Sequence, residues 1–450
     1  MNSMDAKQLF ARTPPVKLFL KAAIPGAVSM LASALYQTLD GIFVGNFVGA
    51  TAFAALNLAM PLVIINFALA DLIGVGAAVP ISVCLGRREP ERANRIFSCA
   101  CLLIFLAGIA TGTALYAAAP WLIAAMGARG AFAEMAVAYL RVYALCSPVT
   151  TIVFAMDNFW RICGWIRGSM GLNLLMSALS GTLEFWFLGV LGWGIGAAAL
   201  ATCTGMFVCA AVAFVPFLRG RATLRLCRPR MDARMLRQIV MCGSPNFLNN
   251  IAGRIASILF NLVLVHMGGE TAVSVYGVLM FADGFIQPLL YGACDSLQPA
   301  VGFNWGAQKY SRVRAIEKCC YTASAAVSVI SAAVIMLIPG FIARLFLADA
   351  GGVIPDAVFA LRLFSLTYVT RWLSFATQSY MLAVEKALPA SVLSIATVLV
   401  FPLLLILALW PLGLTGIWLN LPLTSALSGV LALLILKRLR GELSQPDAQN

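Results

Sequence analysis

Charge is scarce in this chain. Only 11% of its 450 residues are Asp, Glu, Lys or Arg, while 61% are hydrophobic. A soluble protein carries roughly 25% charge and cannot hide this much apolar surface. Lipid is the solvent that resolves the excess. Histidine is scarcer still: His266 stands alone, which excludes a histidine metal cluster or proton relay, and its place near the outer end of a predicted span suits an interfacial residue. No Gly-rich loop ends in Lys-Ser/Thr, so ATP hydrolysis is not expected. No nucleophile–base arrangement is found either, so the chain does not read as an enzyme. The twelve cysteines are scattered, mostly in apolar segments. Cys99-Cys101 and Cys319-Cys320 lack His or Cys partners at ligand spacing, so neither a disulfide framework nor a metal site is expected. They read as small core residues. No cleavable signal peptide stands out, because the polar, basic residues 1–21 lead into a stretch long enough to span.

What is present is a regular alternation of apolar spans and basic loops. Each of twelve stretches can cross about 30 Å of hydrocarbon. They run over 17–44, 51–83, 96–118, 134–156, 168–190, 194–217, 237–266, 271–301, 317–338, 355–381, 388–409 and 413–436. The net charge of +13 sits in short clusters between them. No basic helix face or stacking aromatics accompany it, which excludes a nucleic-acid partner. Even-numbered loops and the termini hold 25 of the 31 Lys and Arg residues, among them Arg87, Arg88, Arg92, Arg95 and the run from Arg219 to Arg237. Odd loops hold only Arg129 and Arg344. The positive-inside rule then predicts a multi-pass protein of the cell (inner) membrane with both termini in the cytoplasm.

The chain also repeats. The offset that lays Pro25 on Pro245 also lays Gly49-Ala50-Thr51-Ala52 on Gly269-Glu270-Thr271-Ala272, Gly86 on Gly306, Arg92 on Arg312 and Gly196 on Gly416. Six helices per repeat is an even number, so both halves share one orientation. The expected fold is an all-α polytopic membrane protein, with an N-lobe of residues 1–220 and a C-lobe of 221–450. The lobes are related by a pseudo-two-fold axis along the membrane normal, with a cavity between them. Two parallel bundles around a cleft is a common carrier plan. The chain is expected to work as a monomer among membrane lipids.

Charges inside spans are costly, about 2.5–3.5 kcal/mol or more at the bilayer centre, and so point to function or pairing. The acids are Asp40, Asp71, Asp157, Glu184, Asp283 and Asp295; the bases are Arg141, Arg254, Arg362 and Arg371. Counting a rise of about 1.5 Å per residue puts Asp40, Glu184 and Thr202 in one layer of the N-lobe, with Ser180 one turn below Glu184. Two carboxylates with hydroxyls at one depth suit a proton or a sodium ion. The alternative is that each is a polar helix contact or an exposed residue at a helix end. In the C-lobe, depth pairs Arg254 with Asp283, and Arg371 with Asp295, as structural ion pairs. None of these charges has a charged repeat mate: Asp40 falls on Phe260, Glu184 on Leu404 and Arg254 on Ala34. Pro25 interrupts helix 1 below Asp40, as a hinge or as a static kink. Gly41, Gly45 and Gly49 follow at the spacing of close helix approach. Tyr36, Met60, Phe67 and Phe285 are candidates to line an adaptable substrate cavity, against the plain reading of core or lipid-facing residues.

Two segments carry a resemblance. Leu35-Tyr36-Gln37-Thr38-Leu39-Asp40-Gly41-Ile42-Phe43-Val44-Gly45, followed by Gly49-Ala50-Thr51-Ala52, and Gln298-Pro299-Ala300-Val301-Gly302-Phe303-Asn304-Trp305-Gly306-Ala307 resemble the multidrug and toxic compound extrusion (MATE) family. The likeness covers nearly the whole chain and is nearer to the DinF- and MepA-like branches than to the NorM-like branch. It implies twelve helices in two lobes and antiport of small organic compounds, often cationic and aromatic, against H⁺ or Na⁺. The family's helix-1 aspartate and proline match Asp40 and Pro25, its helix-6 threonine matches Thr202, and a helix-4 asparagine matches Asn158. Its helix-5 Asn-x-x-x-Asp element falls on Ser180 and Glu184, where both residues differ. That departure turns the expectation toward H⁺, with Na⁺ as the alternative coupling ion and no other cofactor. The rival readings are a lipid-linked precursor or polysaccharide flippase of the same superfamily and, more remotely, a membrane enzyme or receptor. Flippases typically add helices and a basic cavity, whereas this N-lobe interior is acidic.

Overall fold

The computed structural model describes residues 6–346, 353–443 and 446–447. Every regular element among them is helical. We label the long helices α1 (Pro15–Val48), α2 (Ala50–Gly86), α3 (Pro90–Ala125), α4 (Gly130–Ile162), α5 (Ile166–Glu184) and α6 (Ile195–Leu218). The second half holds α7 (Ala233–Gly269), α8 (Thr271–Gly306) and α9 (Tyr310–Leu337). It continues with α10, a pair (Val353–Ser365 and Thr367–Ala383) bent by 43°, α11 (Ala387–Ile395, resuming as Phe401–Leu409) and α12 (Gly413–Arg438). Nine helices among the described residues are long and apolar enough to span, or ten if the bent pair is one span. Three places explain the difference from the twelve predicted stretches. The stretch 168–190 is α5 with the π-helical turn that follows it, and it is not among the nine. The stretch 355–381 is the bent pair. The last two fall within one 52-residue run, Ala387–Arg438, broken at Gly413. At 37 residues, α2 is about 55 Å long, so it tilts or extends past the hydrocarbon.

The repeat is visible in the backbone. Gly49 (φ 114) ends α1, and its repeat mate Gly269 (φ 61) ends α7. With ψ 171 at Gly49 and ψ -151 at Gly269, both occupy a region that only glycine enters readily. Arg88 (φ 64) and Gln308 (φ 57) are also repeat mates, and both are left-handed.

Contacts divide the chain into two compact units, and not at the midpoint of the sequence repeat. One unit takes Val28–Phe247 with the segment before Pro14; the other takes Pro14–Ala27 and the chain from Leu248 on. Each unit therefore borrows half a helix from the other repeat. The two crossover points, after Ala27 and after Phe247, are themselves repeat mates. Each comes two residues after a proline, Pro25 and Pro245. Within the first unit the borrowed half of α7 lies on α2 with no room for side chains. A Cβ on Gly243 would sit 1.8 Å from the Leu72 carbonyl oxygen, and one on Gly76 would sit 2.1 Å from that of Ile239. Within the second unit, the borrowed half of α1 lies on the matching stretch of α8. A Cβ on Gly292 would meet the Ala27 nitrogen at 2.5 Å, and one on Gly26 the Ser296 hydroxyl at 1.8 Å. Small residues at both seats are what allow backbones to touch.

The first unit has the larger described core. Phe97 packs against Phe159 and Phe217 with centroids 5.0 and 4.9 Å apart, and Trp160 Nε1 donates to the Ala213 carbonyl at 3.0 Å. The basic stretch after α6 is tied down rather than loose. Arg225 N donates to Asn94 Oδ1 and Cys227 N to Ser98 Oγ, each at 2.8 Å, and Ala222 and Leu224 are buried.

Candidate functional site

A stripe on α5 explains why its polar residues point inward. Ser169, Leu172, Met176, Ser180, Glu184 and Leu188 recur every three or four residues and are all buried, which is one face of a helix. Glu184 is fully buried, and Asp40 of α1 is 4% exposed. Their carboxyl groups lie within hydrogen-bonding reach of one another. Tyr36, one turn before Asp40, reaches the same place: its hydroxyl donates to Glu184 Oε2 at 3.3 Å and lies 2.6 Å from Thr202 Oγ1. Tyr139 and Tyr143 of α4, with rings 5.2 Å apart, complete the surroundings of Asp40.

This cluster holds more acceptors than donors. Asp40 Oδ1 and Glu184 Oε1 are buried and receive no hydrogen bond, and the Ser180 hydroxyl also lacks a partner. A carboxylate only accepts, so a bond between two carboxyls needs a proton on one of them. Two ionised carboxylates side by side in a dry site would repel without compensation. The geometry can therefore take up one cation: a proton between the carboxyls, or a small ion held by their oxygens and the nearby hydroxyls.

The predicted residues separate into those the structure gathers and those it does not. Asp40, Glu184 and Thr202 share the cluster. Tyr36, expected at a substrate cavity, directs its hydroxyl into it. Ser180 is fully buried one turn away, with Oγ against Gly205 of α6, where a Cβ would come within 2.2 Å. Asn158 stays apart, donating to the Phe154 carbonyl of its own helix at 3.2 Å. Its neighbour Asp157 pairs with Arg161 at 2.6 Å and accepts from Ser169 and from Asn173. Pro25 lies in α1 where the chain leaves the second unit. Met60 and Phe67 pack on the core of the first unit, Phe67 against Phe154 at 5.2 Å, whereas Phe285 is exposed beside Phe281. Gly41 and Gly45 face only the Phe53 ring, so they pack on a side chain.

The expected pairing in the second unit is corrected. Asp283 binds Arg371, not Arg254: Nη1–Oδ1 is 2.7 Å and Nη2–Oδ2 is 3.3 Å, and the Tyr368 hydroxyl also donates to Oδ1. Arg254 is exposed and makes no ion pair among the described residues. Asp295 does not meet Arg371; it sits in a 3₁₀ turn that breaks α8 and accepts from Gln298 Nε2 at 2.9 Å. Depth counting fails because α10 bends at Leu366, which resets the rise just before Arg371. Sequence reasoning missed Tyr139 and Tyr143. Their signal was two phenols one turn apart in an apolar span.

Comparisons with known proteins fit this geometry. The MatE family profile matches twice, at residues 25–186 and 245–407, and the two matches start on the repeat-mated prolines. The Staphylococcus aureus (strain MRSA252) multidrug export protein MepA is 26% identical over 97% of this chain and 96% of its own. The outward-facing structure of a multidrug resistance MATE family transporter of the MOP superfamily has a TM-score of 0.90 at 23% identity. It covers 99% of this chain and 100% of its own. A MOP superfamily transporter from Pyrococcus furiosus, described as having a binding pocket of reverse polarity that suggests a different function, fits equally well: TM-score 0.90, 23% identity, 99% and 100% coverage. Likeness at this identity shows the shared fold. The matched segments cover well over half of the chain, and it belongs to the MatE family.

Proposed function

We propose that this multi-pass protein exports small organic compounds, cationic and aromatic ones above all, against an inward flow of protons. The observation that carries the reading is the Asp40–Glu184 pair, in which the buried Asp40 Oδ1 and Glu184 Oε1 lack donors and can take up one proton. The name of the S. aureus relative, a multidrug export protein, supports the cargo class, and the acidic interior of the first unit favours cations. A sodium site needs several oxygens at fixed short distances. Here one turn of α5 carries Ser and Glu, and the Ser180 hydroxyl packs on Gly205, which favours the proton. Tyr36, itself bonded to Thr202, holds the Glu184 carboxyl in place, and Pro25 is the hinge through which α1 responds at the crossover. The basic loops support a cell (inner) membrane location with both termini in the cytoplasm. One chain holds both units, so we expect a monomer.

Proteoliposomes test this reading. An inward pH gradient without Na⁺ should drive export of a cationic dye, and Glu184→Gln should flatten the pH profile. If a Na⁺ gradient alone drives transport at fixed pH, and collapsing the pH gradient has no effect, the proton reading is wrong.

A further inference from the structure

Another carboxylate, in the second unit, is buried and has no hydrogen-bond or ion-pair partner among the described residues. Glu317 is on α9, seven residues after Tyr310, about 10 Å along the axis. This is beyond the first turn, where free N–H groups favour an anion. The residue is 7% exposed, and among the described residues it accepts no hydrogen bond and forms no ion pair. Its titratable neighbours come from three elements: Cys294 and Asp295 at the break of α8, Tyr380 of α10, and Cys320 and Tyr321 on α9 itself. The segment 298–306, also packed on α9, has no titratable side chain. Arg314 faces Tyr380 and Asp447, and Lys318 lies beside Cys319. Nearby donors are engaged elsewhere. The Tyr321 hydroxyl is 2.8 Å from Thr377 Oγ1, the Cys294 thiol is 2.9 Å from Ser324 Oγ, and Gln298 is bonded to Asp295.

A charged Glu317 therefore has no ion-pair partner among the described residues, whereas a protonated one is a neutral polar group. Two thiols, two phenols and one carboxylate, Asp295, whose Oδ1 is already bonded to Gln298, do not provide the ring of hard oxygens that a sodium ion requires. The pocket also touches the borrowed half of α1: Phe19 and Tyr321 pack together on Ala293, Cys294 and Ala376. Beside them Gly26 and Ala27 lie directly on Ser296 and Gly292.

We propose that Glu317 is a proton-binding site of the second unit, distinct from the Asp40 cluster, and that its proton sets how residues 14–27 pack on α8. This does not require that export be proton-driven. The test is infrared difference spectroscopy of the full-length reconstituted protein through a pH titration, with hydrogen exchange of residues 14–27 measured in parallel. The wild type should show a protonated-carboxyl C=O component that Asp40→Asn keeps and Glu317→Gln loses, and Glu317→Asp should move it without removing it. Exchange in 14–27, corrected for its intrinsic pH dependence, should change with pH in the wild type and not in Glu317→Gln. If Glu317→Gln, or Glu317→Asp where Gln does not fold, leaves every carboxyl component unchanged, the site is refuted. Loss of the component with unaltered exchange refutes its link to α1. Wild-type export by Asp40→Asn would overturn the antiport reading and leave this one standing.

Discussion

The reassigned ion pair yields a sharp test. Arg371 is replaced by Gln, which removes a two-point contact at 2.7 and 3.3 Å and leaves Asp283, among the described residues, with the Tyr368 hydroxyl. Stranding one member of a fully buried pair costs about 3–5 kcal/mol. Here the side chains are 24% and 13% exposed, so solvent screens part of the charge and the expected loss is about 2–3 kcal/mol. For a chain of this size that is a fall of about 2–3 °C in the melting midpoint. The double variant Arg371→Gln/Asp283→Asn removes the stranded charge and should recover about half of the loss. Arg254→Gln is the control, since Arg254 has no acid partner among the described residues and should move the midpoint by less than about 1 °C. Detergent-solubilised protein, heated and then read by fluorescence size-exclusion, gives all four midpoints. If Arg254→Gln falls as far as Arg371→Gln, or if Arg371→Gln does not fall, the pairing seen here does not hold Asp283.

Asp40→Asn should abolish dye efflux while the protein still reaches the membrane, because Asn is nearly the same shape but cannot exchange a proton; resistance measured beside membrane expression decides it. Gly243→Ala should cost more than about 2 kcal/mol, since its Cβ would enter the Leu72 peptide at 1.8 Å. Gly171→Ala, with nothing within 4 Å of the added carbon, should be neutral or stabilising by up to about 1 kcal/mol; thermal midpoints of the pair test the seat of α7 on α2. Pro25→Ala should slow transport and leave expression unchanged if the crossover in α1 bends during the cycle, and unchanged flux would make the proline a static kink.

Apolar length, basic loops and the internal repeat made the helical, two-repeat plan legible, because each reflects a constraint acting on many residues at once. The crossover was not legible. Nothing in the composition of 14–27 or 233–247 says which bundle they join. The choice is made by backbone contact at Gly26, Gly292, Gly76 and Gly243, and a glycine in a span looks the same whether or not something lies against it. The same limit applies to α11 and α12, whose two predicted spans run on as one helical stretch until the backbone at Gly413 turns.

At the level of the site, depth along a straight helix was enough to bring Asp40, Glu184 and Thr202 together, since α1, α5 and α6 keep an even rise up to those residues. It failed for Asp283 and Arg371, where a bend intervenes, and for Asn158, whose amide is bonded within its own helix. Glu317 was passed over for a different reason. Placed two turns into α9 among Arg312, Arg314 and Lys318, it reads as one more charge of a solvated loop. Only the packing of α8 and α10 against it shows that Glu317 is buried and has no ion-pair partner among the described residues.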